Sequence, residues 1–300
     1  MPSYRPPVRR PSAICLAGSF RPLLRYDKSN TMIAKPRIWS RQILAAKEFP
    51  MFEIAGIAPA QLLLVTGIAL LSSVLGGLSG FGAGMVVVPF LLPIVGIKGV
   101  VPVIAVAMLI GNAARFNVYR SEVRRETVIR MLLMILPGAI LGVWIYDALP
   151  PRIVAVVIGS VLILSIPVRR WLAQREIQPT RNGVAAAAFG AGLIAGNAPG
   201  GGVLIITLLL SMGLTGPALL GTDAAIGTIL SMTNAALFGG LGLLDMSRLI
   251  IGVTLGLAMI PGAYIARFFL TRLQTSVQIL VVEAFILVGG MSFYWSAFTH

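Results

Sequence analysis

The sequence is poor in charged residues. Asp, Glu, Lys and Arg make up 11% of its 300 residues, whereas about 25% is usual in soluble domains. The apolar residues reach 57% even without glycine, against about 45–50% with glycine in soluble domains. So few charges cannot cover the surface of a water-soluble fold. A soluble globular protein is therefore excluded, and intrinsic disorder is excluded over most of the chain.

The rarity of cysteine and histidine excludes most enzyme chemistry. Cys15 is the only cysteine, so the chain forms no intrachain disulfide and no cysteine-based metal site. His300 is the only histidine, which excludes zinc sites built on His pairs, catalytic triads and histidine proton relays. The motif Gly-xxxx-Gly-Lys-Ser/Thr is also missing, so ATP is not the direct driver. We therefore expect no enzyme, no catalytic residue, no metal and no other cofactor.

The net charge of +14 is concentrated at the start of the chain. Ten of the 24 Lys and Arg residues and two of the 10 acidic residues lie in residues 1–50. This segment is rich in Arg, Pro and Ser, which predicts a basic disordered tail over 1–56. An organelle transit peptide, or translation from Met51, are the alternatives. No basic face with interleaved aromatic residues follows, so nucleic acid is not an expected partner.

From residue 57 the chain is apolar almost to its end, which predicts an all-α polytopic membrane protein. A helix needs about 20 residues to cross the hydrocarbon. Eight apolar runs are long enough, and two are too short to span comfortably. The long runs are 58–79, 99–118, 128–147, 151–168, 183–198, 216–238, 247–268 and 275–298, and the short runs, each preceded by glycines, are 85–97 and 203–214.

Three patterns occur twice in the same order, which predicts a duplicated helical unit. The pairs are Gly76-xxx-Gly80-xxx-Gly84 with Gly192-xxx-Gly196-xxx-Gly200, Asn112-Ala113-Ala114 with Asn234-Ala235-Ala236, and Leu136-Pro137-Gly138-Ala139 with Ile260-Pro261-Gly262-Ala263. We predict a first membrane repeat over 57–168, a basic cytoplasmic linker over 169–182 and a second membrane repeat over 183–300.

The basic connections indicate how the helices are oriented. Lys and Arg prefer the cytoplasmic side of short loops, and Arg residues cluster in 115–130 and 169–181. Two helices separate the clusters, so both can lie inside. With the basic tail also inside, we expect eight spans, two short re-entrant segments and both termini inside. The alternative is ten spans with an inverted five-plus-five repeat, which places one basic loop outside.

The glycine-broken segments are the strongest indication of a functional site. Irregular backbone at membrane depth persists only inside protein or along a wet cavity, and matched interruptions in two halves indicate a transporter's binding site. Each helix that starts after the glycines offers free N–H groups to an anion, without any buried Arg. The predicted substrate-binding glycines are Gly82, Gly84, Gly200, Gly201 and Gly202.

Polar side chains in the spans complete the predicted site. Asn112, Asn234 and Thr222 are expected to give the substrate neutral hydrogen bonds. Charges at bilayer depth are costly and functional by default, so Asp223 and Glu283 are assigned to coupling or gating. For Asp223 three roles stay open: a proton carrier, the partner of a gating Arg, and a structural hydrogen-bond acceptor.

Other conspicuous residues are expected to have structural roles. Glycines four apart let helices pack closely, and we assign packing as the main role of 76–80 and 192–196, and of the pairs 138–142 and 252–256. Arg115 lies near a predicted helix end, from which its side chain can reach the membrane interface.

The glycine clusters resemble those of the TauE/SafE sulfite exporter family. The segment from Gly77 to Met85, followed by Val88-Pro89-Phe90-Leu91, is similar to the first-half signature of that family. Residues 196–204 are similar to the second-half copy. Gly221-Thr222-Asp223 is similar to the next stretch, where the family usually has Gly-Thr-Ser. The resemblance covers about 58–298 and implies a multi-pass protein of the bacterial inner membrane that exports sulfite, organosulfonates or organic anions.

The expected function is therefore secondary transport of a small anion. We expect the protein to be embedded in lipid and to export sulfite, an organosulfonate or another organic acid across the inner membrane. Whether it forms a homo-oligomer stays open. The alternatives are a drug/metabolite-type permease and a non-transporting membrane assembly protein.

Overall fold

The computed structural model describes residues 59–79, 83–173, 181–269 and 275–299, and every regular element in these ranges is helical. The described helices are α1 (Pro59–Ser79), α2 (Ala83–Val95), α3 (Ile97–Tyr119), α4 (Arg125–Ala148), α5 (Pro151–Ala173), α6 (Arg181–Asn197), α7 (Gly201–Ser211), α8 (Gly216–Gly240), α9 (Met246–Phe269) and α10 (Thr275–Thr299). A short 3-10 turn, Arg120–Glu122, follows α3. The all-α prediction is confirmed.

Every apolar run of the sequence forms one of these helices. The two short runs become α2 and α7, which both begin within or directly after their glycine clusters. The predicted tail over 1–56 and Gly82 lie outside the described residues. The predicted linker over 169–182 is helical at both ends, because α5 continues to Ala173 and α6 begins at Arg181; residues 174–180 lie outside the described ranges.

Five of the described helices are long and apolar enough to cross a membrane. They contain the segments Ala60–Leu78, Ile97–Glu122, Arg125–Ala148, Pro151–Val168 and Met246–Phe268. Helix α8 has 25 residues but carries Asp223 and Asn234 among its buried side chains. With 13 and 11 residues, α2 and α7 are only about 20 and 17 Å long, too short for about 30 Å of hydrocarbon.

Glycines bring α4 and α6 into close contact. A Cβ added at Gly138 or Gly142 of α4 would overlap a backbone carbonyl of α6, that of Phe189 or Leu193. Reciprocally, the positions of Gly192 and Gly196 on α6 face the carbonyls of Ile135 and Ala139 on α4. The helices therefore approach to a separation that only glycine permits, and the packing role predicted for these glycines is confirmed.

The glycine pair of α9 has the same role against α3. A Cβ at Gly252 would lie 2.7 Å from Val106 Cβ, and one at Gly256 would lie 2.7 Å from Ile110 Cδ1. The residue numbers rise together along both helices, so α9 and α3 run parallel. The Nη1 of Arg267, near the end of α9, donates to the Val118 carbonyl at 2.7 Å.

Helix α1 runs parallel to α9 and therefore also to α3. Gly262 packs against Ser73, and the Cβ position of Gly77 lies 2.5 Å from Ala266 Cβ. Since α3 ends at the Arg120–Glu122 turn, α1 begins at the opposite end of the bundle.

Helix α10 ends where α1 begins. It runs antiparallel to α5: Tyr294 Oη and Ser160 Oγ are 2.6 Å apart, and the Arg152 guanidinium lies 5.8 Å from the Phe298 ring. The prediction that both termini lie on the side of the basic connections is therefore wrong for the start of α1 and the end of α10; residues 1–58 and 300 lie outside the described ranges. It rested on the charge of residues 1–50, which does not determine the direction of α1.

Reporter fusions test this arrangement. A fusion inserted in 121–123 and one placed after α10 are expected on opposite sides of the membrane, because α10 ends at the opposite end of the bundle. Paired phosphatase and fluorescent-protein fusions at both sites provide the measurement. Equal signals from the two sites would contradict the helix directions.

The close α4–α6 contact is tested by two glycines of α6. Gly192→Ala is expected to lower stability by about 1–3 kcal/mol, because the added methyl group overlaps the Ile135 carbonyl. Gly190→Ala is the matched control, since no atom beyond the adjacent part of α6 lies within 4 Å of its Cβ position. Thermal unfolding in detergent measures both; equal melting temperatures would contradict the packing.

Candidate functional site

A cavity of about 130 Å³ lies where the two short helices begin. It has room for a small anion or several water molecules. Its lining comes from α2, α3, α6, α7, α8 and the segment between α6 and α7: residues 83–85, 101, 104, 105, 108, 112, 115, 195, 198–203, 205, 223, 227, 230, 231 and 234. Of the predicted substrate-binding residues, the structure brings Gly84, Gly200, Gly201, Gly202, Asn112 and Asn234 to this cavity, together with Asp223.

Helical periodicity explains why α8 contributes so many of these residues. Asp223, Gly227, Leu230, Ser231 and Asn234 follow the spacing i, i+4, i+7, i+8 and i+11, which places them on one face of the helix. Thr222 precedes Asp223 by one position, so its side chain points about 100° away.

The N-termini of α2 and α7 meet at the cavity and the helices leave it in opposite directions. Met85 Cε would lie 3.2 Å from a Cβ at Gly200, so the two helix starts are adjacent. Helix α2 ends at Val95, just before the start of α3, whereas α7 ends at Ser211, just before α8, whose first turns lie against the end of α3 at Tyr119. Gly96 and Gly213 follow the two short helices and have positive φ, 70° and 83°, which ends a helix and reverses the chain. The first N–H groups of both helices lack intrahelical acceptors and carry partial positive charge.

The glycines at these helix starts differ in the space around them. Apart from its chain neighbours and the adjacent backbone of α7, no atom lies within 4 Å of a Cβ placed at Gly202, so this position is open. The Cβ position of Gly84 lies 3.3 Å from Ile104 Cγ2, while those of Gly200 and Gly201 lie 2.8 and 2.5 Å from side-chain atoms of Val161 and Ala195. Gly202 is therefore the position at which a side chain would fill the cavity without a collision.

Pro199 explains both the end of α6 and the position of Asn234. Proline has no N–H to donate to the carbonyl four residues earlier, which is that of Ala195. Asn234 Nδ2 donates to the Ala195 carbonyl at 3.0 Å instead. Asn234 Oδ1 is buried without a partner among the described residues. Its free atom is thus an acceptor, which suits a water or a substrate O–H better than an anion oxygen.

Arg115 is the main cavity residue that the sequence analysis missed. Its side chain is 5% exposed, and Nη2 lies 2.8 Å from Oδ2 of Asp223, which is 9% exposed. Nη1 donates to Asn112 Oδ1 at 3.3 Å. The expectation that Arg115 reaches the membrane interface is wrong, as is that of a site without a buried Arg. The missed signal is the spacing of Asn112 and Arg115, one turn apart on the face of α3 that lines the cavity.

The remaining predicted residues lie elsewhere. Thr222 Oγ1 is fully buried and accepts the backbone N–H of Arg124 at 3.1 Å, so it holds the start of α4. Glu283 is buried on α10 and does not line the cavity. Within the described ranges no group of three or more His, Cys, Asp or Glu could hold a metal ion.

The family model described as Sulfite exporter TauE/SafE matches residues 65–293. The chain belongs to the TauE/SafE family. Neither the curated proteins nor the solved structures contain a match to it. TauE/SafE proteins are membrane transporters rather than enzymes, and the matched region of this member contains the whole cavity and the Arg115–Asp223 pair.

The buried ion pair of this TauE/SafE protein is expected to matter for stability. Arg115→Gln should destabilise the fold by about 3–5 kcal/mol, because it leaves the Asp223 carboxylate buried without a counter-ion. The double variant Arg115→Gln/Asp223→Asn should recover most of that loss. Thermal unfolding of the single and double variants in detergent measures the coupling; additive losses would show that the two side chains are independent.

Proposed function

We propose that this protein is a secondary transporter that exports a small anion, such as sulfite, an organosulfonate or another organic acid, across the bacterial inner membrane. The single observation that carries the proposal is the cavity at which two short helices start inside the bundle. Membership of the TauE/SafE family supports the transport of sulfite or related anions.

We further propose that α1–α5 and α6–α10 are two copies of one unit with inverted orientation. Four features of the helix arrangement support this. Helix α1 packs on α9 and α6 packs on α4, which are equivalent pairs if α1 corresponds to α6 and α4 to α9. The members of each pair run parallel. Under this correspondence α3 is equivalent to α8 and α5 to α10, and each of these helices packs against its own equivalent. Finally, α2 and α7 leave the cavity in opposite directions.

The inverted arrangement suggests how the cavity is opened. In transporters with inverted repeats, the site lies at the repeat interface and one half rocks against the other. Here the first copy contributes α2 and α3 to the cavity, and the second contributes α6, α7 and α8. If the Arg-rich turn after α3 faces the cytoplasm, the start of α1 and the end of α10 face the periplasm.

The anion would be held by backbone N–H groups and by Arg115. The positive ends of α2 and α7 face the cavity from opposite sides, and Arg115 Nε has no partner in the described structure. An anion placed between these groups receives hydrogen bonds from both copies. The volume of about 130 Å³ favours a solute of a few heavy atoms over a drug-sized molecule, for which about 300–1,000 Å³ is typical.

Filling the cavity tests the proposal. Gly202→Leu should reduce the efflux of radiolabelled sulfite from proteoliposomes at least about tenfold, because the new side chain occupies the open space at the start of α7. Combining it with Gly84→Ala should reduce efflux further. Gly190→Leu is the matched control, since its Cβ position is equally open but lies outside the cavity.

The control should transport sulfite like the unaltered protein, and all three variants should have similar melting temperatures. Undiminished efflux in the variant that carries both Gly84→Ala and Gly202→Leu would contradict this site.

A further inference from the structure

The cavity holds one positive and one negative side chain, and they are paired. Arg115 and Asp223 are the only charged residues in the described lining. The cavity without substrate is therefore neutral overall. A buried carboxylate in this position opposes the binding of an anion, so the proposed transport of anions has to account for it.

The ion pair uses only part of the guanidinium. Nη2 contacts Asp223 and Nη1 contacts Asn112, while Nε has no partner among the described residues. A guanidinium offers its donors in a planar fork, and an oxyanion can take two parallel N–H bonds from one edge. Nε is buried as well as unpartnered, so it offers an unused donor to an anion when the side chains of the pair move apart.

Among the described residues, no other charged side chain lines the cavity and could compensate a bound anion. From α3, Arg115 and Tyr119 face this part of α8, and the Tyr119 carbonyl would lie 2.8 Å from a Cβ at Gly221. Helix α7 contains no titratable side chain. The titratable groups of α4 and of the segment before it lie near the helix ends. The side chains of Arg120, Glu122, Arg124, Arg125, Glu126 and Arg130 are exposed, and Tyr146 and Asp147 lie near the other end of α4.

Adding an anion to the neutral pair leaves one uncompensated negative charge in a buried site. Such a charge is strongly unfavourable in a medium of low polarity. Two negative groups that share one cation favour protonation of one of them. Uptake of one proton by the Asp223 carboxylate restores neutrality, with the guanidinium positive, the anion negative and the carboxyl group uncharged.

We propose that Asp223 takes up one proton when a singly charged anion binds Arg115, so that the anion and the proton occupy the cavity together. This inference rests on the proposed function, because it concerns the same cavity. The proton comes from the water that has access to the site, bonds to a carboxylate oxygen of Asp223, and leaves when the anion leaves. The carboxyl group then ionises again and re-forms its ion pair with Arg115.

Linkage fixes the sign of the pH dependence. Anion binding takes up a proton, so affinity for the anion rises as the pH falls, by up to about tenfold per pH unit. Asp223→Asn replaces the carboxylate by a neutral group of the same shape. We expect it to bind the anion more tightly than the unaltered protein at high pH, with an affinity that no longer depends on this proton.

The test uses the full-length protein with methanesulfonate as the probe, because its charge is constant between about pH 5.5 and pH 8. Binding is measured in detergent by the rise in melting temperature, and flux in weakly buffered proteoliposomes that contain a pH-sensitive dye. The unaltered protein should bind more tightly at low pH and carry one proton with each anion. Asp223→Asn should show a flat pH profile and no accompanying proton.

The double variant Arg115→Gln/Asp223→Asn is the control for structural effects. It keeps a neutral pair and should gain no stability from methanesulfonate at any pH, whereas Asp223→Asn should gain more than the unaltered protein at high pH. A failure of Asp223→Asn to gain stability would overturn the inference.

Sulfite flux, measured in parallel, separates this inference from the proposed function. Transport of sulfite or methanesulfonate with the same pH profile and proton count in the unaltered protein and in Asp223→Asn overturns the proton linkage and leaves the function standing. If the protein transports sulfite but not methanesulfonate, the inference requires that Asp223→Asn carries one proton fewer with each sulfite than the unaltered protein does. An equal proton count would overturn the inference. Absence of binding and flux for both anions overturns the proposed function and this inference with it.

Discussion

The structure depends on one constraint, which is that lipid offers no hydrogen bonds to the backbone. Two helices begin inside the bundle instead of at its surface, and their free N–H groups must be satisfied there. The carbonyl groups at the end of α6 have the same need for partners. Asn234 supplies the donor that Pro199 lacks, and close α4–α6 packing at glycines encloses the interrupted segment. The first N–H groups of α2 and α7 are directed to the cavity, which is where we propose that a negatively charged solute binds.

The charge pair makes the two halves different. If Asn112 corresponds to Asn234, the position equivalent to Arg115 in the second half is Leu237, and that equivalent to Asp223 in the first half is Val101. The helix starts are thus contributed by both halves, while the cation comes from one and the carboxylate from the other. Asp223 stands where the resemblance to the family suggests a serine. Its carboxylate neutralises Arg115, so the cavity holds no uncompensated positive charge.

The sequence was sufficient to predict the helices and the helix starts that line the cavity, because run lengths and paired glycine clusters are local signals. Three features needed the structure. The depth of Arg115 depends on where α3 lies among its neighbours, and not on its distance from the helix end. Thr222 does not line the cavity although Asp223 does, because neighbouring residues on a helix point in different directions. The direction of α1 is set by its contact with α9, Gly262 against Ser73, which the charge of the tail cannot reveal.

Direct location of a bound anion tests the central claim. Selenite, the selenium analogue of sulfite, can be located in crystals of the protein by its anomalous scattering. The account predicts a single site within hydrogen-bond distance of the N-terminal amides of α7 at Gly202 and of the Arg115 guanidinium. A site outside this cavity, or an empty cavity in protein that demonstrably transports selenite, would contradict it.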